Sequence, residues 1–236
     1  MLILLAAAVL PAVFLLSRVY KMDTIEKEPW SLLRKLLLWG AISGVPAALV
    51  ESVLTGILLS VVNEGTVLYN LASGFIVAAL VEECFKFFFL YRISFQNPHF
   101  NYRFDGVVYA VFVSMGFAIL ENVLYVFQGG LGVAVTRALL ALPLHAACGV
   151  YMGIAYGEQK VQSLYRKATF GSVAAACLPT PILIHGFYDF CAFMQNDLFV
   201  LIFIAFVIIV FIVTLKRLKK AAREDAPVGE VTIDGR

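Results

Sequence analysis

A chain of 236 residues that is 61% hydrophobic and only 14% charged is too apolar for an ordinary soluble domain, in which about a quarter of residues carry charge. Its net charge of +2 is small and its basic residues are scattered over several short segments, which argues against a nucleic-acid-binding surface. The composition fits a polytopic membrane protein.

A helix needs about 20 apolar residues to cross the hydrocarbon layer. Stretches of that kind run over residues 2–20, 36–62, 69–91, 106–128, 132–157, 168–193 and 197–215. The first, MLILLAAAVLPAVFLLSRVY, has no basic residue ahead of its apolar run and no small-residue cleavage pattern before Lys21, so a retained span is expected rather than a cleaved leader. Basic residues then alternate with the spans. Arg18, Lys21, Lys27, Arg34 and Lys35 follow span one, Arg92 and Arg103 follow span three, and Lys160, Arg166 and Lys167 follow span five. Lys216, Arg217, Lys219, Lys220 and Arg223 follow span seven, whereas the loops around Asn63–Thr66, Gln128–Gly132 and Gln195–Asp197 contain no Lys or Arg. Positive residues stay on the cytoplasmic side, so the pattern predicts an outside N-terminus and a cytoplasmic C-terminus. The expectation is an all-α, polytopic transmembrane helical bundle of about seven spans. It forms one domain over residues 1–215, with a basic cytoplasmic tail over 216–236 drawn to anionic lipid.

Small residues recur at four-residue steps in Gly40 and Gly44 of span two, and in Gly149, Gly153 and Gly157 of span five. This spacing lets helix backbones approach closely, and packing within the chain is expected rather than a dimer face. Pro46, Pro143, Pro179 and Pro181 are positions where spans can kink and free carbonyls. Cys84, Cys148, Cys177 and Cys191 lack metal-type CxxC spacing and read as buried apolar thiols.

Against this background the intramembrane charges stand out. An ionised side chain at the centre of a bilayer helix costs about 2.5–3.5 kcal/mol even on lenient insertion scales, and such groups mark sites where they pair or line wet cavities. Glu82, Glu83 and Lys86 lie in span three, Glu121 in span four, His145 in span five and His185 in span six. At 1.5 Å per residue from the outer ends, Glu82, Glu83 and His145 come out about 20 Å deep, His185 about 12 Å and Glu121 about 10 Å. Four helices thus offer carboxylate or imidazole groups to one layer in the outer half. Lys86 is three and four residues from the two glutamates and can neutralise one of them. The second is left buried without an obvious partner, and a carboxylate able to exchange a proton is what activation of water requires.

Phe117 lies one turn before Glu121, on the same face, with Asn122 beside it. His185 and Asp189 are four apart, so the carboxylate can fix one imidazole nitrogen and leave the other for a metal or an oxyanion. Asp105, at the start of span four, reads as a helix cap, and His99 falls in a cytoplasmic loop. Arg137, near the outer end of span five, either snorkels or offsets the site's negative charge. Glu51 either pairs with Arg137 or lines a cavity. The chain has no HExxH pair, no GxSxG elbow and no glycine-rich phosphate loop. A hydrolytic site is the leading reading. A proton- or cation-coupled transporter is the alternative, because buried Glu, His and Lys also serve relays, and a binding scaffold is a third.

VEECFK (Glu82, Glu83, Lys86), DGVVYA (Asp105, Gly106), GFAILENVLY (Phe117, Glu121, Asn122), RALLALPLHAACGVYMG (Arg137, His145, Gly149) and ILIHGFYDF (His185, Asp189) together resemble the PrsW family of intramembrane proteases, related to the CAAX prenyl endopeptidase group. Those endopeptidases carry FxxxH where this chain has FxxxE at Phe117 and Glu121. The resemblance implies a multi-pass protein of the bacterial cytoplasmic membrane. It would make the first, extracytoplasmic cut in a single-span membrane protein of the anti-sigma-factor type, as part of regulated proteolysis. It implies a catalytic set of Glu82, Glu83, Glu121, His145 and His185, supported by Lys86, Phe117, Asn122 and Asp189. Two mechanisms follow from it. In the metalloprotease form, His145 and His185, with one or both of Glu121 and Glu83, hold zinc or another divalent metal, Glu121 being the first choice. In the metal-free form, Glu82 or Glu83 activates water directly and the histidines donate to the oxyanion.

Overall fold

The computed structural model describes residues 1–229 and is all-α apart from one isolated β-bridge. In chain order the helices are α1 (Leu2–Met22), α2 (Trp30–Val61), α3 (Val67–Ala72), a π-helical stretch (Ser73–Leu80), α4 (Val81–Ser94), α5 (Asp105–Leu139), α6 (Ala141–Gln162), α7 (Phe170–Cys177), α8 (Pro179–Met194) and α9 (Asp197–Arg223). Among the described residues, α1, α2, the stretch from α5 through α6, and α9 are long and apolar enough to cross a membrane. α7 and α8 pass together as a bent fifth element. This is a polytopic helical membrane fold.

Helix α5 is the axis of the bundle. Its residues from Asp105 to Ala118 are buried without interruption, and α1, α2 and α6 pack around it. The glycine patterns explain how they come so near. A Cβ on Gly40 of α2 would overlap the Val113 carbonyl, and one on Gly116 of α5 would overlap that of Leu37. On the other side, a Cβ on Gly153 or Gly157 would overlap Val107 or the Arg103 carbonyl, and one on Gly149 would sit 2.9 Å from the Val111 Cα. The four-residue glycine steps therefore pack helices of this chain against one another, as expected. The outward faces are apolar and exposed, as in Leu198, Leu201, Ile204 and Ile208 of α9, which is the surface that lipid covers. The four cysteines are free, and Cys148, Cys177 and Cys191 are fully buried.

Three departures from the sequence expectation bear on the site. Span three is not one α-helix, because its first part winds as the π-helix Ser73–Leu80 before tightening at Val81. Span five restarts at Ala141 after a turn at Leu140. Pro143 lies just inside α6, and a proline there has no N–H and clashes with a carbonyl one turn back. The segment before that turn belongs to α5, which bends at Gly130, where φ is 74°. Span six bends by 46° between α7 and α8, where Pro179 and Pro181 begin α8. The helical edges also run further than the apolar runs. α2 begins at Trp30 and α9 continues through the basic residues to Arg223.

The end of the bundle carrying the basic loops is closed by polar ties. Asp105 Oδ2 accepts from the amides of Asn101 (3.0 Å) and Tyr102 (2.7 Å), so it caps the incoming loop rather than the amides of its own helix. The segment after α9 pairs with the same loop. Arg103 N donates to Ala226 O at 3.0 Å, Val228 N to Asn101 O at 2.7 Å, and Asp225 Oδ1 accepts from Phe104 N at 2.8 Å. In the α1–α2 turn, burial pushes the Asp23 carboxyl up to about 6 against the opposing pull of Lys27. These ties hold this end of the molecule together, and the cavity that reaches the buried glutamates and histidines lies at the other.

Candidate active site

A cavity of about 860 Å³ enters the bundle between α2, α3, the π-helix, α5, α6 and α8. Its mouth is ringed by residues of the loops without basic charge, Glu64, Gly65 and Gln195, and its floor by Glu82, Glu121, His145 and His185. The π-helix explains how the floor is assembled. At Gly74 a Cβ would lie 2.8 Å from Phe190 N, 2.9 Å from Gly186 O and 3.3 Å from the Asp189 Cβ, so only glycine lets this stretch lie against α8. On the facing helix Gly186 leaves room for the Phe75 ring. This contact brings the start of α4, with its two glutamates, beside His185 and Asp189. π-helical turns occur frequently at functional sites.

Lys86 is the hub of the site. Its Nζ donates to Glu82 Oε2 at 3.0 Å, to Glu83 Oε1 at 2.8 Å and to His145 Nδ1 at 3.1 Å, and it sits 4.2 Å from the centre of the Phe117 ring. The sequence reading had the lysine serving one glutamate and the other left unpartnered. One ammonium, with three protons to give, serves both. It also fixes the histidine. An ammonium has no lone pair to offer, so His145 Nδ1 accepts and its Nε2–H donates to Glu121 Oε2, 3.0 Å away.

The two glutamates are not equivalent. Glu82 is 7% exposed and lines the cavity, whereas Glu83 is completely buried behind it. Glu83 Oε1 also meets His185 Nδ1 at 2.9 Å. His185 Nε2 lies 3.3 Å from Asp189 Oδ2 and 3.9 Å from Glu82 Oε2. The expected His185–Asp189 pair is therefore present, but the second imidazole nitrogen is taken by Glu83. The two imidazole centres are 5.3 Å apart.

Arg137 completes the cavity wall. The bend at Gly130 turns the end of α5 back on itself, so that Arg137 Nη2 lies 2.7 Å from Glu121 Oε2 and Nε donates to Asn122 Oδ1 at 2.9 Å. Of its two sequence readings, the arginine offsets charge. Asn122 in turn donates to the Ala8 carbonyl at 2.6 Å, which ties the site to α1. Glu51 lines the cavity from α2. Sequence reasoning had no signal for Ser114, whose hydroxyl donates to the His145 carbonyl at 2.7 Å, or for Tyr188 on the cavity wall.

Glu82, Glu83, His145 and His185 each present a ligand-type atom within 4.8 Å of one another, and imidazole nitrogen and carboxylate oxygen are the donors zinc takes. The donor set thus fits a divalent ion by chemistry and proximity. Glu121 stands outside this set, bonded to the far nitrogen of His145. The Lys86 ammonium already holds three of these four residues, and a divalent ion would compete with it for them.

The family model described as PrsW family intramembrane metalloprotease matches residues 28–215. The chain belongs to the PrsW family. Relatives named Protease PrsW are 34% identical in Oceanobacillus iheyensis, over 94% of this chain and 97% of theirs, and 37% identical in Geobacillus kaustophilus, over 79% and 78%. The Bacillus subtilis protein of that name is 30% identical over 92% of this chain and 95% of its own. No solved structure matches the chain. Membership in the PrsW family makes the chain an intramembrane peptidase and a multi-pass membrane protein with a membrane-protein substrate, and it displaces the transport and scaffold readings.

Proposed function

We propose that the chain makes the first, extracytoplasmic cut in a single-span regulatory membrane protein of the anti-sigma-factor type, with its N-terminus outside and its C-terminus in the cytoplasm. One observation carries the reading. The cavity that reaches Glu82 opens among the loops that lack Lys and Arg, the side that the charge rule assigns to the exterior.

In the proposed mechanism Glu82 is the general base. It is the member of the pair that meets the cavity, and it takes a proton from water as the water oxygen bonds to the substrate carbonyl carbon. Lys86 donates to Glu82 and holds its carboxyl group at the cavity. His185, held between Glu83 and Asp189, gives a proton to the amide nitrogen as the carbon–nitrogen bond breaks. Glu83 positions both Lys86 and His185. Glu121, locked by His145 and Arg137, sets the far wall. A divalent metal bound by Glu82, Glu83, His145 and His185 would acidify water and polarise the carbonyl, and a carboxylate would still receive the proton.

The test is the position of the cut. In vesicles holding the purified chain and a single-span reporter, mass spectrometry of the products should find one cut, marked by a new C-terminus and a new N-terminus, in the outer half of the reporter's span or just beyond it. A terminus in the cytoplasmic half contradicts the reading.

A further inference from the structure

Glu51 is the intramembrane charge that the proposed mechanism leaves unused. It lies on α2, in a stretch otherwise apolar, and faces the cavity opposite Glu82. Its Oε1 is shielded from solvent and has no hydrogen-bond partner. A buried carboxylate oxygen without a donor is costly, and the cost is relieved when a donor arrives.

None of the cationic groups around the cavity supplies such a donor. Arg137 is occupied by Glu121 and Asn122, Lys86 by Glu82, Glu83 and His145, and His185 by Glu83 and Asp189. Every cationic group near the floor is thus already paired, and none of them is paired with Glu51 or Glu64, which line the wall. The wall also has room for a long side chain. Gly44, Ala48, Glu51 and Thr55 line the cavity from one face of α2, at the spacing that stacks residues along a helix. Two of the three neighbours are the smallest side chains available.

We infer that Glu51 is a specificity-determining residue that receives a basic side chain, Lys or Arg, of the substrate at a fixed position near the cut. The inference rests on the protease cavity proposed above and adds the class of sequence it selects. A cationic side chain brings the donor that Glu51 Oε1 lacks. An acidic side chain at the same position meets Glu51 and Glu82 as like charges.

The probe is a single-span reporter whose outer juxtamembrane segment is randomised, cut by the full chain in vesicles and read by mass spectrometry of the products. Wild type should enrich Lys and Arg at one position relative to the cut by roughly 10-fold, the scale of one charge-assisted hydrogen bond. Glu51→Gln should flatten that position, Glu51→Asp should keep the preference, and Glu51→Lys should turn it toward Asp and Glu. Wild-type cleavage with no basic preference, or a Glu51→Gln profile identical to wild type, overturns the inference and leaves the protease cavity standing. An equal loss over all sequences in Glu51→Gln also overturns it, because Glu51 would then act on the reaction or the fold. A wild-type chain that cuts no member contradicts the cavity assignment, and the inference with it.

Discussion

Glu82→Gln should lower peptide-bond cleavage by about 10²–10⁴-fold, the usual worth of a positioned general base, while the chain still inserts in the membrane and binds its substrate. The substitution keeps the shape of the side chain and removes the charge that takes the proton from water. Glu82 rather than Glu83 is the sharper choice, because Glu82 meets the cavity and Glu83 is sealed behind it. The measurement is the initial rate on a reporter in vesicles, with substrate retention followed by crosslinking. An inactive chain that retains uncut substrate is the predicted outcome. Turnover within a few-fold of wild type would remove Glu82 from the reaction, and failure to insert would make its role structural.

The second large effect is on stability and falls on Lys86. Its ammonium is buried and holds both glutamates and His145. Removing one partner of a buried ion pair typically costs about 3–5 kcal/mol, because the other charge is left uncompensated. Lys86→Met should therefore destabilise the detergent-solubilised chain on that scale, read as a lower unfolding midpoint, and abolish cleavage. Adding Glu83→Gln to Lys86→Met removes one of the stranded charges and should restore much of the stability but none of the activity. Such a departure from additivity is expected for residues in one network. An unchanged midpoint for Lys86→Met would mean that the lysine is not the hub. Full additivity in the double variant would mean that the two residues do not share a charge.

Much of this site was legible in the sequence because lipid makes charge conspicuous. Glu82, Glu83, Lys86, Glu121, His145 and His185 stood out as ionisable groups in apolar runs, and the structure brings them together. The glycine steps of α2 and α6 foretold close helix contacts for the same reason, since only backbone approach explains them in an apolar setting.

What the sequence did not carry was the path of the backbone between those residues. Depth estimates from straight helices set Glu121 about 10 Å above His145, yet the two are hydrogen-bonded at 3.0 Å. The bend at Gly130 and the restart at Ala141 defeat a count from the loop, and the π-helix before Val81 does the same on span three. Gly74 and Gly186 set that helix against α8, but neither belongs to a repeating pattern that would have flagged it. The roles of hydrogen-bonded neighbours were equally hidden. Spacing alone could not show that one lysine serves two glutamates, or that Arg137 folds back onto Glu121.

The central claim is that water from the outside reaches the carboxylates within the membrane. Ala78 lines the cavity one turn before Glu82, and Ser163 lies beyond α6 at the opposite end. The most direct measurement labels Ala78→Cys and Ser163→Cys in sealed vesicles of known sidedness with a membrane-impermeant maleimide, using the chain with its four native cysteines as the background. The account predicts that Ala78→Cys reacts with reagent added on the extracytoplasmic side and Ser163→Cys only with reagent on the cytoplasmic side. An Ala78→Cys thiol that is inert from outside, or that reacts only from the cytoplasm, would contradict it.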